Sequence, residues 1–256
     1  MTVNLHYQVH GQGKPVLILH GLFGSGRNWS VFARKLARYC QVITVDLRNH
    51  GGSGHARTMA YAEMAADIQH FLQSRGYTQA SIIGHSMGGK VAMVFALTYQ
   101  SAIDRLVIVD IAPVAYHSDY QSLLDSLEAL PLQQITGRKQ ADELLSMTIN
   151  DSRLRLFLLQ NLVQDENGYR WRINLPVLKN SLTELGNFPA FTAASQHSGP
   201  SLFLGGSDSD YLQPGHHAAI IRHFRNAQIE TIDKAGHWLH IDQPGAVLDR
   251  IIRFLR

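Results

Sequence analysis

The chain of 256 residues holds one cysteine, Cys40. A single thiol excludes an internal disulfide framework and any metal site built from clustered cysteines. Cys40 sits in RYCQVITVD, beside an aliphatic run, where a buried structural thiol is the expected role. No apolar run reaches the ~18 residues needed to cross a bilayer. The opening residues, MTVNLHYQVHG, lack the basic and apolar segments of a secretion signal, so a cytoplasmic protein is expected. Net charge is scarce: 23 Lys and Arg against 20 Asp and Glu leave a formal +3. The densest basic region is Arg27, Arg34, Lys35 and Arg38, with Arg34 and Arg38 one helical turn apart. That spacing fits a solvated helix face. Attraction of an acidic substrate group, such as the phosphates of a CoA thioester, is the lesser reading. Aromatic–basic platforms and Gly-rich phosphate loops are missing, so neither nucleic acid nor membrane is an expected partner.

What is present is a regular alternation. TVNLHYQV places Val3, Leu5, Tyr7 and Val9 at the period of a half-buried strand. PVLILHG (15–21) and QVITVDLRNHG (41–51) are dense in aliphatic and β-branched residues, as strands buried on both faces require. Between them Trp29, Phe32, Ala33, Leu36 and Ala37 recur at helical spacing. Further helices are predicted over 60–75 and 87–99, and further strands at ASIIG and RLVIVDIAP (105–113). This pattern predicts an α/β fold with a mainly parallel sheet flanked by helices on both faces.

The alternation stops at Pro113 and resumes near Pro200. Four amphipathic helices are predicted in between. Leu123, Leu124, Leu127 and Leu130 mark the first, and Leu144, Leu145 and Thr148 the second. Leu154, Phe157, Leu158 and Leu162 mark the third, with Asp151 as its N-cap. NGYRWRIN reads as a turn and a short extended piece, and Leu178, Leu182 and Leu185 mark the fourth helix. Residues 114–190 are therefore expected to form a helical cap inserted into a core of residues 1–113 and 191–256. SLFLGG (201–206), a helix near 214–225, AQIETID (227–233) and a last helix from Ala246 to Leu255 complete that core.

Gly84-His85-Ser86-Met87-Gly88 stands at one junction of strand and helix. Gly-x-Ser-x-Gly in this setting makes a turn so sharp that only small residues fit on either side of the serine. The serine is strained and projects its hydroxyl from the C-terminal edge of the sheet. The following helix points its unpaired N–H groups and positive dipole end at the same place. Ser86 is thus the candidate nucleophile.

A serine hydroxyl needs a base. Among 14 histidines, His237 follows the last predicted strand and precedes the last helix, on the same sheet edge as Ser86. His240, His216, His217 and His85 are expected to pack or face solvent. A carboxylate orients such a histidine, and two aspartates compete for the part. Asp208 follows the strand at 201–206, and Asp110 ends the strand before it. Asp210 is a weaker third. Acyl transfer also requires donors for the developing oxyanion. The Met87 N–H is one, and the Leu22 N–H of HGLFGSG the other, with the Phe23 N–H as runner-up. The scheme calls for no metal and no organic cofactor.

Taken together, HGLFGS, DLRNHG, GHSMGGK, VDIAPV, WRINLPVL and AGHWLH resemble the YbfF-type esterases of the α/β-hydrolase superfamily over nearly the whole chain. The resemblance implies an α/β-hydrolase fold with an inserted helical cap. It also implies a serine esterase or thioesterase acting on short- to medium-chain acyl esters or acyl-CoA, hence a small-molecule partner. Members often carry Gly-Gly-Asn-Ser where this chain has Gly206-Ser207-Asp208-Ser209. On that resemblance Asp110 is preferred as the acid, and Asp208 stays the alternative. Ser86 argues against dehalogenase and epoxide hydrolase chemistry, which use a carboxylate at this position. A perhydrolase, a carbon–carbon bond hydrolase or a non-catalytic ligand receptor on the same fold would share these residues. Oligomeric state has no signature in these patterns.

Overall fold

The aliphatic runs become the centre of a seven-stranded sheet. The structure, a computed structural model, describes residues 1–117, 120–192 and 194–256. Ser118 and Asp119 of the predicted cap and Ala193 of the predicted core lie outside these residues. In chain order the strands are β1 (Tyr7–His10), β2 (Pro15–Leu19), β3 (Gln41–Val45), β4 (Ala80–His85), β5 (Ile103–Val109), β6 (Leu162–Asp165), β7 (Gly168–Trp171), β8 (Ser201–Gly206) and β9 (Ala227–Ile232). The helices are α1 (Ser30–Leu36), α2 (Tyr61–Ser74), α3 (Met87–Thr98), α4 (Tyr120–Glu128), α5 (Arg138–Leu145), α6 (Ser152–Leu159), α7 (Leu175–Asn180), α8 (Leu182–Gly186), α9 (His217–His223), α10 (Leu239–Asp242) and α11 (Pro244–Leu255).

The sheet order is β1-β3-β2-β4-β5-β8-β9, and β6 and β7 pair separately. Only β1 runs antiparallel to its neighbour in the large sheet. Side-chain alternation builds two cores. Leu17, Leu19, Ile43 and Val45 pack with α2 and α3 on one face. Val16, Ile18 and Val42 pack with α1 and α11 on the other. Burial of both faces is why β2 and β3 read as unbroken apolar runs. Cys40 is buried, donates to the Leu36 carbonyl, and has its thiol pushed up to about 11 by burial. Arg34 and Arg38 are exposed.

Departures from the predicted pattern have local causes. β1 begins at Tyr7, and Val9 is 45% exposed, because this edge strand pairs only with β3. β5 ends at Val109, since Asp110 takes a left-handed φ of 51°. β3 ends at Val45, where the Asp46 carboxylate accepts the Gly26 and Gly52 amides and shapes the turn. The loop that follows is pinned to α2 by the buried Arg48–Asp67 ion pair, 2.7 Å long. Asp151 caps α6 as predicted, its carboxylate accepting the Arg153 and Leu154 amides, worth about 1 kcal/mol. Leu162, predicted on that helix, lies instead in β6. The single helix predicted around Leu178, Leu182 and Leu185 is split into α7 and α8 at Ser181.

The elements between β5 and β8 are tied by polar contacts to the loops after β2 and β3 and to α2. Asn161 donates to the Phe23 carbonyl at 2.8 Å, Asn174 N–H to the Asn49 carbonyl at 3.1 Å, and the Tyr61 hydroxyl to the Leu185 carbonyl at 2.7 Å. Among the described residues no helix is long and apolar enough to cross a membrane.

Candidate active site

The centre of the sheet edge is the turn from β4 into α3. Ser86 has φ 53° and ψ −121°, a conformation that L-residues rarely adopt. Its neighbours explain how it persists. A Cβ on Gly88 would stand 2.5 Å from the carbonyl oxygens of both Leu19 and His20, and one on Gly84 would collide with the Gly88 carbonyl. Two glycines therefore let β2, β4 and α3 approach closely enough to hold the turn. The Ser86 carbonyl accepts the Gly89 and Lys90 amides, which starts α3. Ser86 is 9% exposed and lines a cavity of about 70 Å³ together with His20, Leu22, Phe23, Trp29, Phe157, His237 and Trp238.

His237 projects from the loop between β9 and α10. Its Nδ1 donates to Asp110 Oδ2 at 2.7 Å, which leaves Nε2 as the nitrogen able to take a proton. Asp110 is fully buried at the end of β5, and its carboxylate accepts two further hydrogen bonds. The Gly206 N–H donates to Oδ1 at 3.1 Å, and the Ser209 hydroxyl donates to Oδ2. The Tyr211 ring stacks on His237 with centroids 4.0 Å apart. His85 donates Nε2–H to the His237 carbonyl at 2.8 Å and so fixes the loop itself. Ser86 and His237 face the same cavity, and no direct hydrogen bond joins them among the described contacts. Such bonds are often loose until substrate is bound.

Asp208 is not part of this cluster. It is exposed, and its carboxylate accepts the Ser207 hydroxyl at 2.8 Å. The tight turn after β8 sends Asp208 outward and Ser209 inward, so the residue that reaches Asp110 from this loop is the serine, and Tyr211 beyond it meets His237. Asp210 is exposed as well.

The two candidate amides from HGLFGSG differ in what they already hold. The Phe23 N–H donates to His50 Nε2 at 3.2 Å, with Phe23 at a left-handed φ of 63°. The Leu22 and Met87 amides have no partner among the described residues. His50 donates Nδ1–H to the Arg48 carbonyl at 2.9 Å. His20 donates to the Gly21 carbonyl at 2.8 Å and accepts the Leu47 amide at 2.9 Å. Those two buried histidines lock the loop that carries Leu22. Burial, with His20 beside it, pushes His50 down to about 3, and burial also lowers His20. His85 is driven well below the usual histidine range by burial and by the nearby His237. His240 stacks on Trp29 at 3.9 Å and is pushed down to about 3 by burial. His216 and His217 sit at the start of α9, away from the cavity.

Sequence reasoning passed over several residues that shape this site. His20 and His50 lay in the quoted motifs HGLFGS and DLRNHG without an assigned part. Ser209 and Tyr211 had no signal beyond their nearness to Asp208. Lys90, the last residue of GHSMGGK, is buried, and its ammonium donates to the Gly186 and Asn187 carbonyls at 2.7 and 2.8 Å. Burial lowers it to about 7. Among the described residues no group of three or more His, Cys, Asp or Glu side chains is placed to hold a metal ion.

Comparison with known proteins agrees with this fold. The sequence profile described as alpha/beta hydrolase fold matches residues 14–244. The chain is 39% identical over 248 residues to the sn-1-specific diacylglycerol lipase ABHD11 of Mus musculus, covering 94% of this chain and 80% of that protein. It is 35% identical over 259 residues to Esterase YbfF of Escherichia coli (strain K12), covering 100% of this chain and 99% of that protein. A solved structure, a marine microorganism esterase, superposes with a TM-score of 0.96 at 35% identity, covering 99% of this chain and all of that one. The profile, the sequence similarity and the shared shape together mean that the chain belongs to the α/β-hydrolase family, in the group that includes YbfF.

Proposed function

We propose that this protein is a carboxylic ester hydrolase that works through an acyl-enzyme on Ser86. The observation that carries the reading is that His237, held by the buried Asp110, faces the same cavity as a serine in a strained, projecting turn. The names of the relatives, a diacylglycerol lipase and two esterases, point the same way.

In the first half-reaction His237 Nε2 takes the Ser86 proton as the hydroxyl oxygen attacks the acyl carbonyl. Negative charge moves to the carbonyl oxygen, where the Leu22 and Met87 amides receive it. Each such donor is worth about 3 kcal/mol in the transition state. Asp110 keeps the proton on Nδ1 and stabilises the imidazolium. His237 then gives the proton to the departing alcohol or thiol as the carbonyl–heteroatom bond breaks. Water, deprotonated by the same nitrogen, attacks the acyl-serine and releases the acid. Residues 114–190 act as a cap that shelters these steps from bulk solvent, over a core of residues 1–113 and 191–256. The substrates are small-molecule acyl esters of short to medium chain length, and acyl thioesters such as acyl-CoA fit the same chemistry. No step uses a metal or an organic cofactor.

The test is steady-state hydrolysis of p-nitrophenyl acetate and butyrate by the wild type and by Ser86→Ala and His237→Ala. Turnover that both substitutions abolish supports the reading. Tight binding of esters with negligible wild-type turnover would make the protein a receptor and overturn it.

A further inference from the structure

Two spaces open from Ser86, and they differ in which catalytic group they include. The smaller, of about 40 Å³, is lined by Ser86, Met87 and Leu22 and lacks His237. The 70 Å³ cavity includes His237. Through Asn28, Phe157, Trp238 and His240 it continues into an outer groove of about 570 Å³. The general acid must reach the leaving atom, so the leaving group lies on the His237 side. The acyl chain then takes the other space. This assignment rests on the esterase reading above.

We propose that the protein is selective for a short acyl chain joined to a bulky, negatively charged leaving group. On the acyl side, 40 Å³ holds on the order of three water-sized groups, the size of an acetyl to butyryl chain. Its walls are pinned. Tyr61 is bonded to the Leu185 carbonyl at 2.7 Å. The Tyr116 hydroxyl accepts the Ala112 amide at 2.9 Å and donates to the Tyr211 carbonyl. The Tyr120 and Tyr211 hydroxyls stand 3.1 Å apart. The Lys90 ammonium holds the Gly186 and Asn187 carbonyls across the far end. Widening this space for a longer chain would break buried hydrogen bonds, each costing about 1–3 kcal/mol.

The other side has the opposite character. A groove of 570 Å³ is within the range of whole ligand sites. Arg27, Arg138 and Arg153 line it with Phe157, Trp238 and Ile241, and no acidic side chain does so. Asp242 pairs with Arg153 at 3.0 Å and Arg138 donates to the Leu162 carbonyl at 2.9 Å, so among the described residues Arg27 and Arg138 line the groove with no carboxylate to offset their charge. Apolar walls with an arginine rim fit an amphipathic leaving group that carries a carboxylate or phosphate.

Two series test the assignment. With p-nitrophenyl acetate, butyrate, hexanoate and octanoate, kcat/KM should fall at least about tenfold beyond butyrate. Leu182→Ala, which removes a wall of the acyl space, should raise the hexanoate-to-acetate ratio by about tenfold. With a common acetyl group, 7-acetoxycoumarin-4-acetate should be hydrolysed about fivefold more efficiently than the neutral 7-acetoxy-4-methylcoumarin. That preference should vanish in ~1 M salt, where the screening length is ~3 Å, and in the Arg27→Ala, Arg138→Ala double variant. A flat or rising acyl series, or equal efficiency on the two coumarins at low salt, overturns the assignment while leaving the esterase reading intact. Hydrolysis that survives Ser86→Ala would instead overturn that reading.

Discussion

His237 Nδ1 and Asp110 Oδ2 meet at 2.7 Å across 127 residues of chain. The contact joins the end of β5 to the loop after β9, two places that only the sheet brings together. The carboxylate accepts from the Gly206 amide, the Ser209 hydroxyl and the imidazole, so it is held in one orientation. One imidazole tautomer follows, with Nε2 as the basic nitrogen.

Asp110→Asn should therefore cripple the enzyme while sparing its fold. The amide can present its own N–H to the imidazole and stabilise the wrong tautomer. A loss of about 10³–10⁴-fold in kcat is expected. Asp208→Asn changes an exposed side chain and should stay within about twofold of the wild type. Kinetics of the two variants on one p-nitrophenyl ester decide the matter, and a large loss in Asp208→Asn alone would reverse the assignment.

Ser209 acts through Asp110. Its hydroxyl donates to Oδ2, and its oxygen accepts the Tyr211 amide at 3.2 Å, which sets the ring stacked on His237. A hydrogen bond to a charged group is worth about 1.5–3 kcal/mol, so Ser209→Ala should lower kcat by at least about tenfold. Because the serine contacts no substrate, KM should barely move, and Ser209→Thr should restore most of the rate. A rise in KM with kcat unchanged would contradict this role.

The turn at Ser86 makes a stability prediction. Gly88→Ala puts a methyl group against two backbone carbonyls that cannot retreat without moving β2. Overpacking of this kind costs about 1–3 kcal/mol, which for a chain this long lowers Tm by several degrees. Gly245→Ala in α11 meets open space and should be neutral or stabilising. Thermal unfolding of both variants, followed by circular dichroism, compares them directly.

Acid should destabilise the fold through its buried histidines. His50 and His240 are held near 3 by burial, against about 6.5 in an unfolded chain. Between those values the unfolded chain binds protons that the folded one refuses, so stability falls as pH drops from about 6.5 toward 3. Each group adds a slope of up to about 1.4 kcal/mol per pH unit, and His85, lowered in the same direction, adds to it. Urea midpoints measured at about pH 7 and pH 5 should show the drop. His240→Phe keeps a ring against Trp29 and should flatten it; an unchanged slope in that variant would rule His240 out as a source.

Much of the architecture could be read along the chain, because β2, β3, β4, β5 and β8 are buried on both faces and β-rich runs of that kind have few other destinations. The glycines around Ser86 were legible for a similar reason: only that spacing allows strand and helix to close on the turn. Helix ends were less legible. The break at Ser181 follows no residue with a strong signal, and Leu162 keeps the helical spacing of α6 while pairing as a strand with Trp171.

The choice of acid was open because Asp110 and Asp208 end neighbouring strands at one sheet edge, and periodicity says nothing about where a side chain beyond a strand will point. Asp110 turns inward through a left-handed backbone, which aspartate tolerates better than most residues, and the turn after β8 sends Asp208 out. Likewise the Phe23 amide is occupied by a histidine 27 residues away, while the Leu22 amide has no partner among the described residues. The amino-acid sequence alone determined the strand–helix alternation, the sharp turn and the serine at its apex, since these are local matters of burial and steric fit. Only the tertiary structure decided which carboxylate meets His237 and how much room lies on each side of Ser86, since both depend on contacts between segments far apart in the chain.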